Sequence, residues 1–208
     1  MIDRRILAAG LAAALSSCPA AATTVDVIVR DSGGNVVPNA VVMLQDGTPA
    51  SARTVKFPWP YVVAQQNIQF TRYVLIVPVG AQVSFPNRDK VRHHVYSFSK
   101  AKRFELKLYG QEEARTVTFD KPGVVALGCN IHDPMTAFIM VVDTRFAART
   151  DASGRVSITG VPGGNVNLRV WHPLARAPGG EQAQPLSVPA SGAIARVVSL
   201  NLRSAARG

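Results

Sequence analysis

Apolar and β-branched residues recur along this chain in short runs, many alternating with polar positions and bounded by Gly, Pro and Asn. A period of two marks a strand with one buried face. The pattern predicts strands at Val25–Arg30, Val36–Leu44, Tyr73–Val77, Gln82–Phe85, His94–Phe98, Phe104–Tyr109, Arg115–Phe119, Val124–Leu127, Phe138–Val142, Arg155–Thr159, Val166–Trp171 and Ala193–Leu202. No strong amphipathic helix follows residue 22. Strand-length segments without helices between them predict an all-β chain, and their number exceeds what one small sandwich needs. Two β-sandwiches are expected. The Pro-, Gly- and Ala-rich stretch Ala175–Ser191 reads as a long surface loop, and residues 204–208 as a flexible tail.

The first 22 residues follow a different logic. Asp3, Arg4 and Arg5 precede an apolar run from Ile6 to Leu15 and a small-residue stretch Ala20-Ala21-Ala22, the layout of a secretory signal peptide. The run is too short to span a bilayer. Leu15-Ser16-Ser17-Cys18 offers an alternative, a lipoprotein box that would leave Cys18 acylated and the chain membrane-anchored. Either way the expected destination is a bacterial periplasm. If Cys18 leaves with the leader, Cys129 is the one thiol of the mature chain, and no intramolecular disulfide can form.

With 47% hydrophobic and 17% charged residues over 208 positions, the composition is globular and excludes a wholly disordered chain or a coiled coil. Lys and Arg number 23 against 13 Asp and Glu. The net charge of +10 favours acidic partners without choosing among them. Nucleic acid is not expected, because an exported chain with no aromatic stacking pattern lacks the means to read it.

The flanks share one character. Val25–Arg30, Asp31-Ser32-Gly33-Gly34 and Val36–Leu44 near the start, and Asp151-Ala152-Ser153-Gly154, Val156–Thr159 and Val161-Pro162-Gly163-Gly164 later, resemble strands of the carboxypeptidase regulatory-like domain. That resemblance implies a transthyretin-type β-sandwich formed by residues 23–50 and 146–203. Residues 51–145 would then be inserted in it or packed beside it.

The chemistry lies in the centre. Gly128-Cys129-Asn130-Ile131-His132-Asp133-Pro134-Met135 places a thiolate, an imidazole and a thioether close together after a strand, and Arg92-His93-His94-Val95 supplies a second imidazole. Two histidines and a cysteine with a weak axial methionine make the ligand set of a blue-copper electron-transfer site. Zinc is a poorer match, since the chain has four His and no Cys-x-x-Cys. His172, in the flank, reads as an ordinary surface or packing residue. His93 and His94 would point to opposite faces of a strand, so one of the two can reach a metal.

At these residues the chain resembles the cupredoxins. The Cys-x-x-His-x-x-Met spacing is similar to the short ligand loop of the amicyanin group, and the upstream His-x-Val pattern maps the family's histidine onto His93. The whole combination resembles exported proteins often labelled methylamine-utilization proteins. The resemblance implies a cupredoxin Greek-key β-sandwich over residues 51–145, with one type 1 copper held by His93, Cys129, His132 and axial Met135. His132 would be the exit edge for electrons. Asn87, Asn130 and Asp133 are candidates to hold the ligands by hydrogen bonds, or are ordinary turn residues.

Between Arg88 and Lys107 the basic residues Arg88, Lys90, Arg92, Lys100, Lys102, Arg103 and Lys107 face Asp89 and Glu105 alone. A basic collar suits steering toward an acidic redox protein, such as a cytochrome c or a periplasmic dehydrogenase. The expected activity is that of a one-electron carrier, not an enzyme. A copper carrier or sensor, or an accessory copper oxidase or reductase, are the alternatives.

Overall fold

A computed structural model describes residues 22–47 and 55–203. The leader with Cys18 and the tail 204–208 lie outside the described residues. The described chain is all-β, with fourteen strands. Among the described residues no helix is long and apolar enough to cross a membrane.

The outer parts of the chain build one sandwich. Strand β1 (Thr23–Asp31) lies between β11 (Arg155–Val161), antiparallel to it, and β14 (Gly192–Leu200), parallel to it. The second sheet runs β10 (Ala147–Arg149), β2 (Val41–Gln45), β12 (Gly164–Trp171), β13 (Glu181–Val188), all antiparallel. Val25, Val27 and Val29 of β1 pack against Val42, Leu44, Leu168 and Val170 of the facing sheet. The strict alternation of β1 thus has one buried face.

The middle of the chain builds the second sandwich. Its larger sheet has the order β3 (Val74–Pro78), β9 (Thr136–Val142), β8 (Gly123–Cys129), β5 (His93–Phe98), β6 (Arg103–Tyr109), with β3 and β9 parallel and the other pairs antiparallel. Strands β4 (Ala81–Pro86) and β7 (Ala114–Phe119) pair opposite it. Val83, Phe85 and Phe119 meet Val95, Leu127 and Ile139 in its core.

A third apolar cluster joins the two. Val41 and Met43 from β2, Val74 and Ile76 from β3, Met140 and Val142 from β9, Ala147 and Trp171 are buried together. Strands β2, β3 and β9 are therefore covered on both faces, which explains why Val-Val-Met-Leu, Val-Leu-Ile-Val and Phe-Ile-Met-Val-Val read as unbroken apolar runs.

Two expectations about the strands need correction, and one short strand was not foreseen. Ala175–Ser191 is not one long loop: after a 3-10 turn at Pro178–Gly180, β13 pairs with β12 from Trp171 opposite Glu181 to Gly164 opposite Val188. It is an edge strand whose exposed residues are Ala183, Pro185 and Ser187 and whose inward side begins with Gln182 and Gln184, so its sequence lacks a hydrophobic run, and an edge is where a strand tolerates Pro185. Val36–Leu44 is not continuous either. The chain turns at Asn39, whose φ is +63°, before β2 begins. Strand β10, three residues long, was too short to leave a pattern.

Candidate metal centre

Alternation along β5 decides which histidine faces inward. Val95 is a core residue, so His93, Val95 and Ser97 share the buried face while His94, Tyr96 and Phe98 share the other. His93 is completely buried. His94 points away, its Nε2 2.9 Å from Glu105 Oε1 but outside hydrogen-bonding geometry.

Register brings the thiol to the same place. Val95 of β5 lies opposite Cys129, the last residue of β8, so the Cys129 side chain enters the core beside His93. Beyond it the chain turns sharply. The Asn130 N–H donates to His94 O at 3.1 Å and the Met135 N–H to His132 O at 3.0 Å, folding His132 back over the strand end. Gly128 is required here, because a Cβ would lie 2.8 Å from the Tyr96 ring packed over it.

The outcome is a convergence of three donors. His93 Nδ1 lies 3.8 Å and His132 Nδ1 3.7 Å from Cys129 Sγ, and the three atoms fall within 4.8 Å of one another. Bonds of about 2.0 Å to imidazole and about 2.3 Å to thiolate, opened to about 120° in a trigonal plane, separate N from S by roughly 3.7 Å. Both nitrogen-to-sulfur separations thus match those around a single metal ion. Met135 is 1% exposed, belongs to the same apolar cluster as Cys129, and lines with it a cavity of about 360 Å³.

The residue that orients His93 is Asp89, which sequence reasoning passed over as one of two acids in a basic stretch. Its Oδ2 stands 2.8 Å from His93 Nε2. The carboxylate also accepts the N–H groups of Asn67 at 2.6 Å and Ile68 at 3.0 Å. Both of those residues are left-handed, at φ +56° and +55°, a conformation costly for a β-branched side chain and held here by Asp89. Burial alone would raise the Asp89 carboxyl, but the bonds from His93, Ile68 and Asn67 outweigh it and hold the group below the usual carboxylate range. The legible signal was a carboxylate four residues before a candidate ligand.

Asn87 supports the same loop. Its Oδ1 accepts the Asp89 N–H at 2.8 Å, and its Nδ2 donates to Val91 O at 2.8 Å and Tyr109 O at 3.1 Å. Tyr109 in turn donates its hydroxyl to Gln65 Oε1 at 2.6 Å, with Phe85 O 3.0 Å from the same oxygen. Burial pushes that phenol well above its ordinary range. Of the three residues expected to hold the ligands, Asn87 acts through Asp89. Asn130 contributes its backbone, and no side-chain hydrogen bond from Asn130 or Asp133 to a candidate ligand occurs among the described residues.

The basic collar is partly spent. Lys102 pairs with Asp120 at 3.0 Å and Arg103 covers the Phe98 ring, whereas Lys90 and Arg92 stay exposed on the loop leading to His93. His172 is a packing residue and not a surface one, buried and accepting the Leu174 N–H at Nδ1.

No protein-family model matches the chain, and no curated protein matches it. Among solved structures, the chain is similar to the copper-containing nitrite reductase of Thermus scotoductus SA-01, with 29% identity over 43% of this chain and a TM-score of 0.39; it spans only 24% of that enzyme's length. It is similar to a reduced amicyanin variant at 24% identity, covering 49% of this chain and 98% of that one, with a TM-score of 0.37. A purple cupredoxin from Nitrosopumilus maritimus is similar at 19% identity, over 39% of this chain and 98% of that one, with a TM-score of 0.35.

Proposed function

We propose that this chain is an exported, mononuclear copper protein that carries single electrons between periplasmic redox partners and performs no chemistry on a substrate. The convergence of His93, Cys129 and His132 supports this reading most directly. Bound copper would supply a one-electron couple between Cu(I) and Cu(II). The chain's own residues do the rest. An Nε2–H of His93 donated to Asp89 leaves the Nδ1 lone pair free on the side of Cys129, the arrangement by which a carboxylate fixes the tautomer of a metal-binding histidine. Met135 stands in reserve as a soft, weak axial donor. Among the described residues no fourth His, Cys, Asp or Glu joins the cluster, whereas closed zinc sites take four such ligands.

His132, half-buried while His93 is sealed, is the side on which an electron would leave. The exposed Lys90 and Arg92 nearby favour an acidic partner, of the kind a cytochrome c or a dehydrogenase presents. The test is an absorption and EPR spectrum after loading with Cu(II). An intense thiolate-to-copper band in the red, with narrow copper hyperfine splitting, is expected in the native chain and is lost in Cys129→Ala while the β circular-dichroism signal persists. A colourless native protein overturns the reading.

A further inference from the structure

A cleft of about 560 Å³ opens where the two sandwiches meet. Asn39 and Arg149 line it from the flanking sandwich, and Thr71, Arg72, Tyr73 and Arg88 from the central one. An adjoining cavity of about 260 Å³ shares Arg72 and Arg149. No carboxylate lines either space, and none of the three arginines is in an ion pair among the described residues. Three arginines lining one cleft with no carboxylate among them make it a place where an anion is favoured.

The backbone that carries these residues is fixed, and one guanidinium is held directly. Arg149 donates to Asn39 Oδ1, and Asn39 is fixed in its left-handed turn by its N–H bond to Thr150 O at 3.2 Å. The Arg88 N–H donates to Gln65 O at 2.9 Å. Thr71, beside Arg72, gives its N–H to Ala64 O and takes the Ala64 N–H on its hydroxyl. Burial raises the Tyr73 phenol above its ordinary value and keeps it a donor. Guanidinium forks match phosphate and carboxylate oxygens in pairs, and the volume suits a small molecule.

We infer that this cleft binds a small polyanion carrying at least two phosphate or carboxylate groups, gripped by Arg72 and Arg88 on one sandwich and Arg149 on the other. None of His93, Cys129, His132 or Met135 lines this cleft. Titration calorimetry on the full chain, with metal content checked before and after, uses inorganic pyrophosphate and tricarballylate as probes and acetate as the single-charge comparison at equal ionic strength. Saturable binding of one equivalent is expected for pyrophosphate, tricarballylate or both, and the preference between them tells a phosphorylated ligand from a polycarboxylate. Arg88→Gln and Arg149→Gln each weaken it about tenfold, the loss of one charge-assisted bond, while Arg196→Gln, an exposed residue of β14 outside the cleft, leaves it unchanged. The same probes raise the unfolding temperature of the native chain but not of an Arg72→Gln/Arg149→Gln double variant. No saturation in the millimolar range, acetate binding as well as the polyanions, or an equal loss in Arg196→Gln overturns the proposal.

Discussion

The two sandwiches are built by the same rules and differ in what their buried polar groups do. In the flanking one these groups close turns: Thr150 Oγ1 donates to Val37 O and accepts the Ala40 N–H, Thr23 Oγ1 donates to Pro189 O, and Thr144 Oγ1 to Leu44 O. Each hydroxyl is satisfied by nearby backbone. In the central one, His93 is fully buried with Nε2 on a carboxylate, and its Nδ1 meets a sulfur at 3.8 Å. A thiol is a weak partner for a buried nitrogen. Polar burial thus separates scaffold from site: one sandwich uses it to close its fold, the other leaves donors aimed at a common point.

The largest test of this contrast lies at the joint. Trp171→Ala removes a fully buried indole from the cluster shared by the sandwiches and is expected to cost about 3–5 kcal/mol. Followed by urea, with the copper band reporting the centre and circular dichroism the whole, it should split one transition into two. A single transition would make the pair one cooperative unit even without the indole.

Next in size is Asp89→Ala, expected to weaken copper binding roughly 10–100-fold. Competition with a chelator measures it. Asp89→Asn, which still accepts an N–H bond, should recover part of the loss; if both variants bind copper like the native chain, Asp89 merely closes its turn, as Thr150 does in the flank. Met135→Gln has a smaller effect. It should lower the reduction potential while copper stays bound, because the axial contact is weak; cyclic voltammetry reads it, and loss of the metal would make Met135 a principal ligand.

The smallest effect belongs to the flank. Burial lowers His172 from its ordinary 6.5, more than its bond to the Pro38 carbonyl raises it. The unfolded chain therefore takes up the proton first, so stability is full above about pH 6.5 and falls as the pH drops toward the depressed folded value. Urea midpoints at about pH 7.5 and about pH 5.5 should differ less in His172→Gln than in the native chain. An identical difference would place the acid sensitivity elsewhere.

The sequence made the strands of both cores readable because alternation records one buried face. It hid β13, an edge strand that exposes Ala183, Pro185 and Ser187 and puts Gln182 and Gln184 on the inward side before Leu186, and it blurred β2, where a turn at Asn39 interrupts an apolar stretch. The candidate site was more legible than its supports. Cys129, His132 and Met135 lie within one turn, and strand alternation separates His93 from His94. The role of Asp89 depends on a turn at Asn67 and Ile68 more than twenty residues away, and long-range contacts of that kind leave no periodicity to read.

The doubly covered strands β3 and β9 carry a consequence for anyone who would move this centre to another scaffold. Their outer faces present Val74, Ile76, Met140 and Val142 to the flanking sandwich. Cut out alone, the central unit would bring those four side chains into water as a contiguous patch beside Phe138. It would be sticky and prone to self-association. A transplantable version needs polar replacements at these outward positions, with Leu75, Val77, Ile139 and Val141 left to the core.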